Sequence, residues 1–122
     1  MLSRGILATA SLLVGTAAQA QVRNCTVPPF RTVDGGTIEV KITVRSGKTC
    51  WFRLGNSLAA ISEARVVTKP SVGTAAPQGT SVSYSAKAGF AGTDQFSWAW
   101  AGRTRWGRDT TWPVDVLVTV IP

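Results

Sequence analysis

The amino-acid sequence predicts an all-β chain that folds as a single antiparallel β-sandwich of six or seven strands. Its 122 residues are enough for one domain. Apolar and polar residues alternate along several short segments, which is typical of half-buried strands, and no segment sustains a helical period. Twelve glycines and six prolines separate these segments with turns. A hydrophobic content of 44% excludes an intrinsically disordered chain.

The clearest strand signal lies in residues 37–44, which read TIEVKITV. Every second residue there is Ile or Val, so one face of the strand is apolar and the other is polar. Turn residues stand before this segment at 34–36 and after it at 46–47. The other predicted strands are residues 50–54, 63–68, 81–85, 95–101 and 112–121, with a candidate edge strand at residues 22–27.

The last two predicted strands indicate a hairpin with its tip at Trp106. Alternation then selects a register that places Trp100 opposite Trp112 and Arg103 opposite Asp109, because a slip by one residue would mix the two faces. The even-numbered face becomes the core, so Trp98, Trp100 and Trp112 are assigned to packing. Arg103 and Asp109 form a favourable cross-strand charge pair. Trp106 is left at the turn, where we expect it to be more than half exposed.

Residues 1–20 have the pattern of a signal peptide. Arg4 provides a basic start, residues 6–15 are apolar, and Ala18-Gln19-Ala20 fits a small-x-small cleavage site, which places the cut before Gln21. A transmembrane anchor is the alternative, but Thr16 and Gln19 interrupt the apolar run before the roughly 20 residues that a span needs. We therefore expect an exported protein that does not span the membrane, periplasmic or extracellular, with its domain at residues 21–122.

The two cysteines, Cys25 and Cys50, are expected to form a structural disulfide. Exported proteins fold in an oxidising compartment, and two cysteines allow one intramolecular pairing. A catalytic dithiol or a metal pair is the alternative, against which the spacing and the lack of other soft ligands both argue. Trp51 follows Cys50 directly and is expected to pack on the disulfide inside the sandwich, by analogy with other disulfide-linked β-sandwiches.

The composition argues against catalysis and against a metal or cofactor. The chain has no histidine, which excludes Ser-His-Asp and Cys-His catalysis as well as histidine metal sites. It also lacks a Gly-rich phosphate loop and a Gly-x-Ser-x-Gly elbow. The six acidic residues are scattered, so no calcium cluster is expected. We therefore expect a protein that is not an enzyme and that needs no cofactor.

Residues 69–120 carry a recurring pattern, in which KPSVGT is followed by VSYSAKAGFAGTDQFSW and then by VDVLVTV. This pattern resembles the immunoglobulin-like and cadherin-like domains of exported bacterial proteins, and the resemblance implies an antiparallel immunoglobulin-like sandwich. Asp94 in this motif is expected to fix its turn by accepting nearby backbone N–H bonds, at a cost of about 1–2 kcal/mol when lost. The matching residues are Pro70, Gly73, Thr74, Tyr84, Gly89, Phe90, Gly92, Asp94 and Phe96.

This chain departs from the family pattern at the turn before its last strand. The turn reads AGRTRWGRDTT, where the family has an acidic or Asn-Gly turn. Ala86 stands where the family has Pro, and the calcium motifs of true cadherins are missing. The family often forms tandem repeats in large adhesins, whereas this chain carries one copy, which argues against that role.

The candidate binding residues are Arg103, Arg105, Trp106 and Arg108 at the hairpin tip. Guanidinium groups pair with carboxylates, phosphates or sulfates, and the indole ring stacks on sugars or bases. A formal charge of +7 also favours anionic partners. We expect a non-catalytic binding module of the bacterial envelope whose partner is an envelope protein or an anionic glycan.

The sequence leaves three alternatives to that function. In the first, the basic tip only keeps the protein soluble. In the second, the chain is a structural accessory subunit of a larger envelope assembly, and in the third it binds nucleic acid, against which the export signal argues.

Overall fold

The computed structural model describes residues 23–53 and 60–122, and over these ranges the chain is all-β with no helix. The predicted signal peptide therefore lies outside the described residues, which include no long apolar helix of the kind that crosses a bilayer. The described strands are β1 (Cys25–Thr26), β2 (Ile38–Arg45), β3 (Thr49–Phe52), β4 (Ala60–Thr68), β5 (Thr74–Gln78), β6 (Ser81–Ser85), β7 (Gly92–Arg103) and β8 (Asp109–Ile121).

These eight strands form two sheets. The larger sheet has the order β1-β2-β8-β7-β4 and the smaller one has the order β3-β6-β5. The prediction of a purely antiparallel sandwich is wrong for one pair, because β2 and β8 run parallel from Ile38 opposite Val114 to Arg45 opposite Ile121. Both strands alternate apolar and polar residues in phase, and alternation carries no information about strand direction. The predicted six or seven strands become eight because β5 was not expected.

The predicted hairpin register is confirmed residue by residue. Trp100 lies opposite Trp112, and Arg103 lies opposite Asp109. The even-numbered residues of β7 and β8 from Asp94 to Trp100 and from Trp112 to Val120 are buried. The face assignment from alternation was therefore correct for this core.

Aromatic rings from both sheets meet in the core. Phe52 of β3 lies 5.6 Å from Trp98 of β7, and Tyr84 of β6 stacks at 5.3 Å on Phe96 of β7. Phe30, in the connection between β1 and β2, stacks on Trp100 at 6.3 Å. These contacts place the inner faces of the two sheets against each other around one apolar layer.

The predicted Cys25–Cys50 disulfide is present and joins the two sheets. Cys25 lies on β1 of the larger sheet and Cys50 on β3 of the smaller one, with Cα atoms 5.6 Å apart. The placement of Trp51 on this disulfide is wrong, because its side chain is 38% exposed. Neighbouring residues of a strand point to opposite faces, so the inward Cys50 directs Trp51 outward.

Removing the disulfide is expected to destabilise the fold strongly. Replacing Cys25 and Cys50 together by Ser should lower the free energy of unfolding by about 2–5 kcal/mol, because the unfolded chain gains conformational freedom. Urea denaturation measures this loss. Labelling of the denatured, non-reduced wild type should detect no free thiol, and two labelled thiols would contradict the assignment.

Asp94 of β7 holds the segment between β4 and β5. Its Oδ1 accepts the backbone N–H of Ser71 at 2.9 Å, and its Oδ2 accepts the backbone N–H of Gly73 at 2.8 Å. The hydroxyl of Tyr84 donates to Oδ2 at 2.7 Å. The expected bonds from backbone N–H groups are present, but only that of Gln95 comes from an adjacent residue, whereas Ser71 and Gly73 are distant in sequence. Asp94 thus bridges β7, β6 and the 71–73 segment.

The close approach around Asp94 explains the glycine of this motif. A Cβ added to Gly73 would lie 2.6 Å from the carbonyl oxygen of Ser85, so only glycine brings this N–H to the carboxylate. Burial alone would raise the pKa of Asp94, but the hydrogen bonds from Gly73, Tyr84, Gln95 and Ser71 outweigh it and lower that pKa below its ordinary value. Burial and the neighbouring carboxylate raise the pKa of Tyr84, which stays a donor.

Candidate functional site

The hairpin tip, residues 103–108, is a closed turn between β7 and β8. The N–H of Thr104 donates to the carbonyl of Arg108 at 2.8 Å, and the N–H of Gly107 donates to the carbonyl of Thr104 at 2.9 Å. The Thr104 hydroxyl oxygen accepts the N–H groups of Trp106 and Arg108 at 3.3 and 3.2 Å. Gly107 has φ +81°, a conformation that other residues rarely adopt. These bonds give the tip a defined shape.

The tip presents an exposed aromatic ring among arginines. Trp106 is 79% exposed, which confirms the exposure predicted from the sequence. The guanidinium of Arg105 lies 4.8 Å from the centre of its ring, a cation–π contact that turns both groups toward one solvent region. Arg108 is exposed in the same turn, and Arg103 pairs with Asp109 at 2.9 Å at the base. The structure therefore brings all four predicted binding residues together.

Two buried tryptophans anchor the base of the tip. The indole N–H of Trp112 donates to Asp34 at 2.6 Å, and that of Trp100 donates to the carbonyl of Thr80 at 2.8 Å. Thr80 lies in the turn between β5 and β6. These bonds fasten the hairpin to the neighbouring connections, so the tip projects from a rigid support.

A second Arg–Trp pair lies on the outer face of the smaller sheet and was not predicted. The guanidinium of Arg53 lies 5.2 Å from the ring centre of Trp51. Trp51 lies opposite Ser83 of β6. Three residues before Ser83, Thr80 accepts the indole N–H of Trp100 near the base of the tip. Arg53 therefore lies toward the same end of the molecule as the hairpin tip. The segment TCWF alternates, and its Cys50 points inward. This alternation could have predicted that Trp51 points outward.

The structure also contains a groove that the sequence did not predict. It lies at the base of the tip, has a volume of about 660 Å³, and crosses the outer face of β4, β7 and β8. Its lining combines small residues with two ion-paired arginines, and we name it the base groove. The base groove is defined by Ser62, Arg65, Ala101, Arg103, Asp109 and Thr111.

The described residues, 23–53 and 60–122, contain no group of three or more His, Cys, Asp or Glu side chains that could hold a metal ion. A scan against protein-family models found no match, and a search of curated proteins found no relative.

Proposed function

We propose that this chain is an exported, immunoglobulin-like binding module of the bacterial envelope that holds an anionic partner on its hairpin tip. The main support for this proposal is that the ring of Trp106 is exposed beside the guanidinium of Arg105. A turn needs glycine and polar residues but no indole. Exposing so large an aromatic side chain favours a role in recognition, where Trp and Arg contribute most to affinity.

The strand order supports the immunoglobulin-like part of the proposal. The order β3-β6-β5 corresponds to strands B, E and D of an immunoglobulin domain, and β4-β7-β8 corresponds to C, F and G. The hairpin tip is then the F–G loop, which lies at the end of the sandwich that antibodies use for binding. The disulfide departs from that pattern, because it joins β1 to β3.

The charge distribution supports an anionic partner. The two described ion pairs are Arg65 with Glu63 and Arg103 with Asp109. Neither engages Arg105 or Arg108, and every acidic residue of the chain lies in the described ranges. Because these two exposed guanidinium groups form no ion pair within residues 23–53 and 60–122, they are suited to bind carboxylate, sulfate or phosphate groups.

The sheet edges favour the tip over docking of the chain as an accessory subunit. Edges β1 and β3 have only two and four residues, and edge β5 carries Pro77, which cannot donate a ladder hydrogen bond. Edge β4 has two register shifts along its pairing with β7. Short edges, prolines and bulges are features that suppress strand addition.

Replacing Trp106 by Ala tests the proposal directly. The free energy of unfolding should change by no more than about 0.5 kcal/mol, as for an ordinary surface site. Binding to immobilised heparin, used as a polyanion probe, should weaken by more than about 1 kcal/mol. Urea denaturation and surface-based binding measure the two effects separately. A variant that unfolds would place Trp106 in the core and contradict the proposal.

Two double variants that remove the same number of charges distinguish binding at the tip from general attraction to a basic protein. Arg105→Gln with Arg108→Gln removes two charges at the tip, and Lys48→Gln with Lys87→Gln removes two exposed charges at the opposite end. Only the tip pair should weaken heparin binding strongly, and the wild-type affinity should fall steeply with salt. Equal losses in both double variants would mean unspecific attraction and would overturn the proposal.

A further inference from the structure

Small residues line the floor of the base groove, and one of them lets β4 lie close to β7. Ala101 of β7 and Gly102 form part of the lining, and a Cβ added to Gly102 would lie 2.9 Å from Cα of Ile61. No larger residue fits at position 102 without displacing β4. The volume of about 660 Å³ lies within the range of small-molecule sites.

A register shift shapes one wall of this groove. Ile61 pairs with Gly102 and Glu63 pairs with Ala101, which leaves Ser62 as the extra residue of a bulge. The Ser62 hydroxyl donates to the carbonyl of Ala101 at 3.0 Å. Bulges of this kind often redirect side chains beside binding sites.

Each of the two groove arginines uses a single donor in its ion pair. Arg65 donates to Glu63 through Nε at 2.9 Å, and Arg103 donates to Asp109 through Nε at 2.9 Å. Both ion pairs use Nε, so neither of them engages the two terminal NH₂ groups of either guanidinium. The carboxylates orient these groups, and the hydroxyl of Thr111 adds a further donor and acceptor at the floor.

The groove and the tip differ in charge and so fit different parts of one ligand. Arg105 and Arg108 make the tip purely cationic, whereas the acceptor oxygens of Asp109 stand among the donors of the groove. A mixture of donors and acceptors over a small apolar floor matches a hydroxylated ring, and a dense polyanion would meet repulsion from Asp109. The exposed indole of Trp106 matches the apolar face of a sugar.

We infer that the base groove is a saccharide subsite, and that the anionic partner of the tip is an acidic polysaccharide. This inference rests on the proposed function and adds the chemistry of the ligand. The polymer would lay a hydroxylated ring in the groove, where Arg65 and Arg103 donate to its hydroxyl or carboxylate oxygens, and would carry its acidic groups on toward Arg105 and Arg108.

The test blocks the groove without touching the tip. Thr111 is exposed on the outer face of β8, and Thr111→Phe fills the floor with a side chain that strands accept well. Thr119→Phe is the matched control, because Thr119 is exposed on the same face of the same strand, about 26 Å away at the rise of an extended strand. Arg65→Gln is a second variant that removes donors and adds no bulk.

Two probes distinguish recognition of a sugar from attraction to negative charge. Hexagalacturonate carries both sugar rings and carboxylates, whereas inorganic polyphosphate carries charge without a sugar. We expect Thr111→Phe and Arg65→Gln to weaken hexagalacturonate binding about tenfold or more, as loss of a central contact does, with Thr119→Phe within about twofold of wild type. Polyphosphate binding should change in none of the three. Calorimetric titration measures each affinity, and urea denaturation confirms that each variant is folded.

The outcomes separate the two proposals. Equal effects of Thr111→Phe and Thr119→Phe, or a wild type that binds polyphosphate but no hexagalacturonate, would overturn the saccharide subsite. The proposed function would still stand if Trp106→Ala and the tip double variant reduced the remaining binding. Tip variants that leave the binding of every probe unchanged would overturn both.

Discussion

Asp94→Ala is expected to lower the free energy of unfolding by about 3–5 kcal/mol, because it leaves several donors without their charged acceptor. The N–H groups of Ser71 and Gly73 and the hydroxyl of Tyr84 all point at this carboxylate, within 2.7–2.9 Å. The loss exceeds the value expected from the sequence, since the bonds span three parts of the chain. Urea denaturation at neutral pH measures it.

Two controls isolate this contribution. Tyr84→Phe removes one of the hydrogen bonds and should cost about 1–2 kcal/mol. Asp115→Ala removes an exposed carboxylate on β8 and should change stability by no more than about 0.5 kcal/mol. If Asp94→Ala were no more harmful than Asp115→Ala, the bridging role of Asp94 would be wrong.

The same carboxylate gives the fold an acid-sensitive component. The pKa of Asp94 is lower in the folded chain than its ordinary value of 3.8, so folding favours the charged form. The stability that it contributes is therefore present above the unfolded pKa and is lost as the pH falls through the folded pKa. We expect the stability difference between wild type and Asp94→Asn to narrow below about pH 4, as measured by urea denaturation across pH.

Phe96→Ala is expected to cost about 3–5 kcal/mol, the range for emptying a buried aromatic site. The Phe96 side chain is 1% exposed, stacks at 5.3 Å on Tyr84, and lies 6.0 Å from Phe52. Its ring therefore joins β7 to both β6 and β3. Truncation would remove contacts between the two sheets and leave a cavity that rigid strands cannot close.

The neighbouring residue provides the control for Phe96. Ser97 lies on the outer face of the same strand, opposite Asp115, so Ser97→Ala should stay within about 0.5 kcal/mol of wild type. Chemical denaturation measures the free energy of unfolding of both variants. Equal losses at positions 96 and 97 would contradict the assignment of the two faces.

The hairpin could be predicted from sequence because its two strands carry matching alternation. Burying one face leaves few registers, and a slip by one residue would expose Trp98 and Trp100. The exposure of Trp106 followed from the same argument. Local pattern is sufficient where strand, turn and partner are adjacent in the chain.

The features that sequence missed depend on distant partners or on small residues. Strand β5 reads TAAPQ, which lacks the β-branched alternation of a strand, and it forms because β6 offers an edge. Trp51 was misplaced because an analogy overrode the alternation of its own strand. The base groove draws on β4, β7 and β8, and it is lined in part by the small residues Ala101 and Gly102, which no motif marks.

The parallel pairing of β2 with β8 has a consequence for the order of folding. Ile38 must find Val114 across most of the chain, and such distant pairing is slow because loop closure precedes any gain. In a chain that emerges from its N-terminus, β1 and β2 are both available early, whereas the pairing of β2 with β8 waits for the last strand to arrive. Completion of β8 should therefore limit the rate at which this chain reaches its native state.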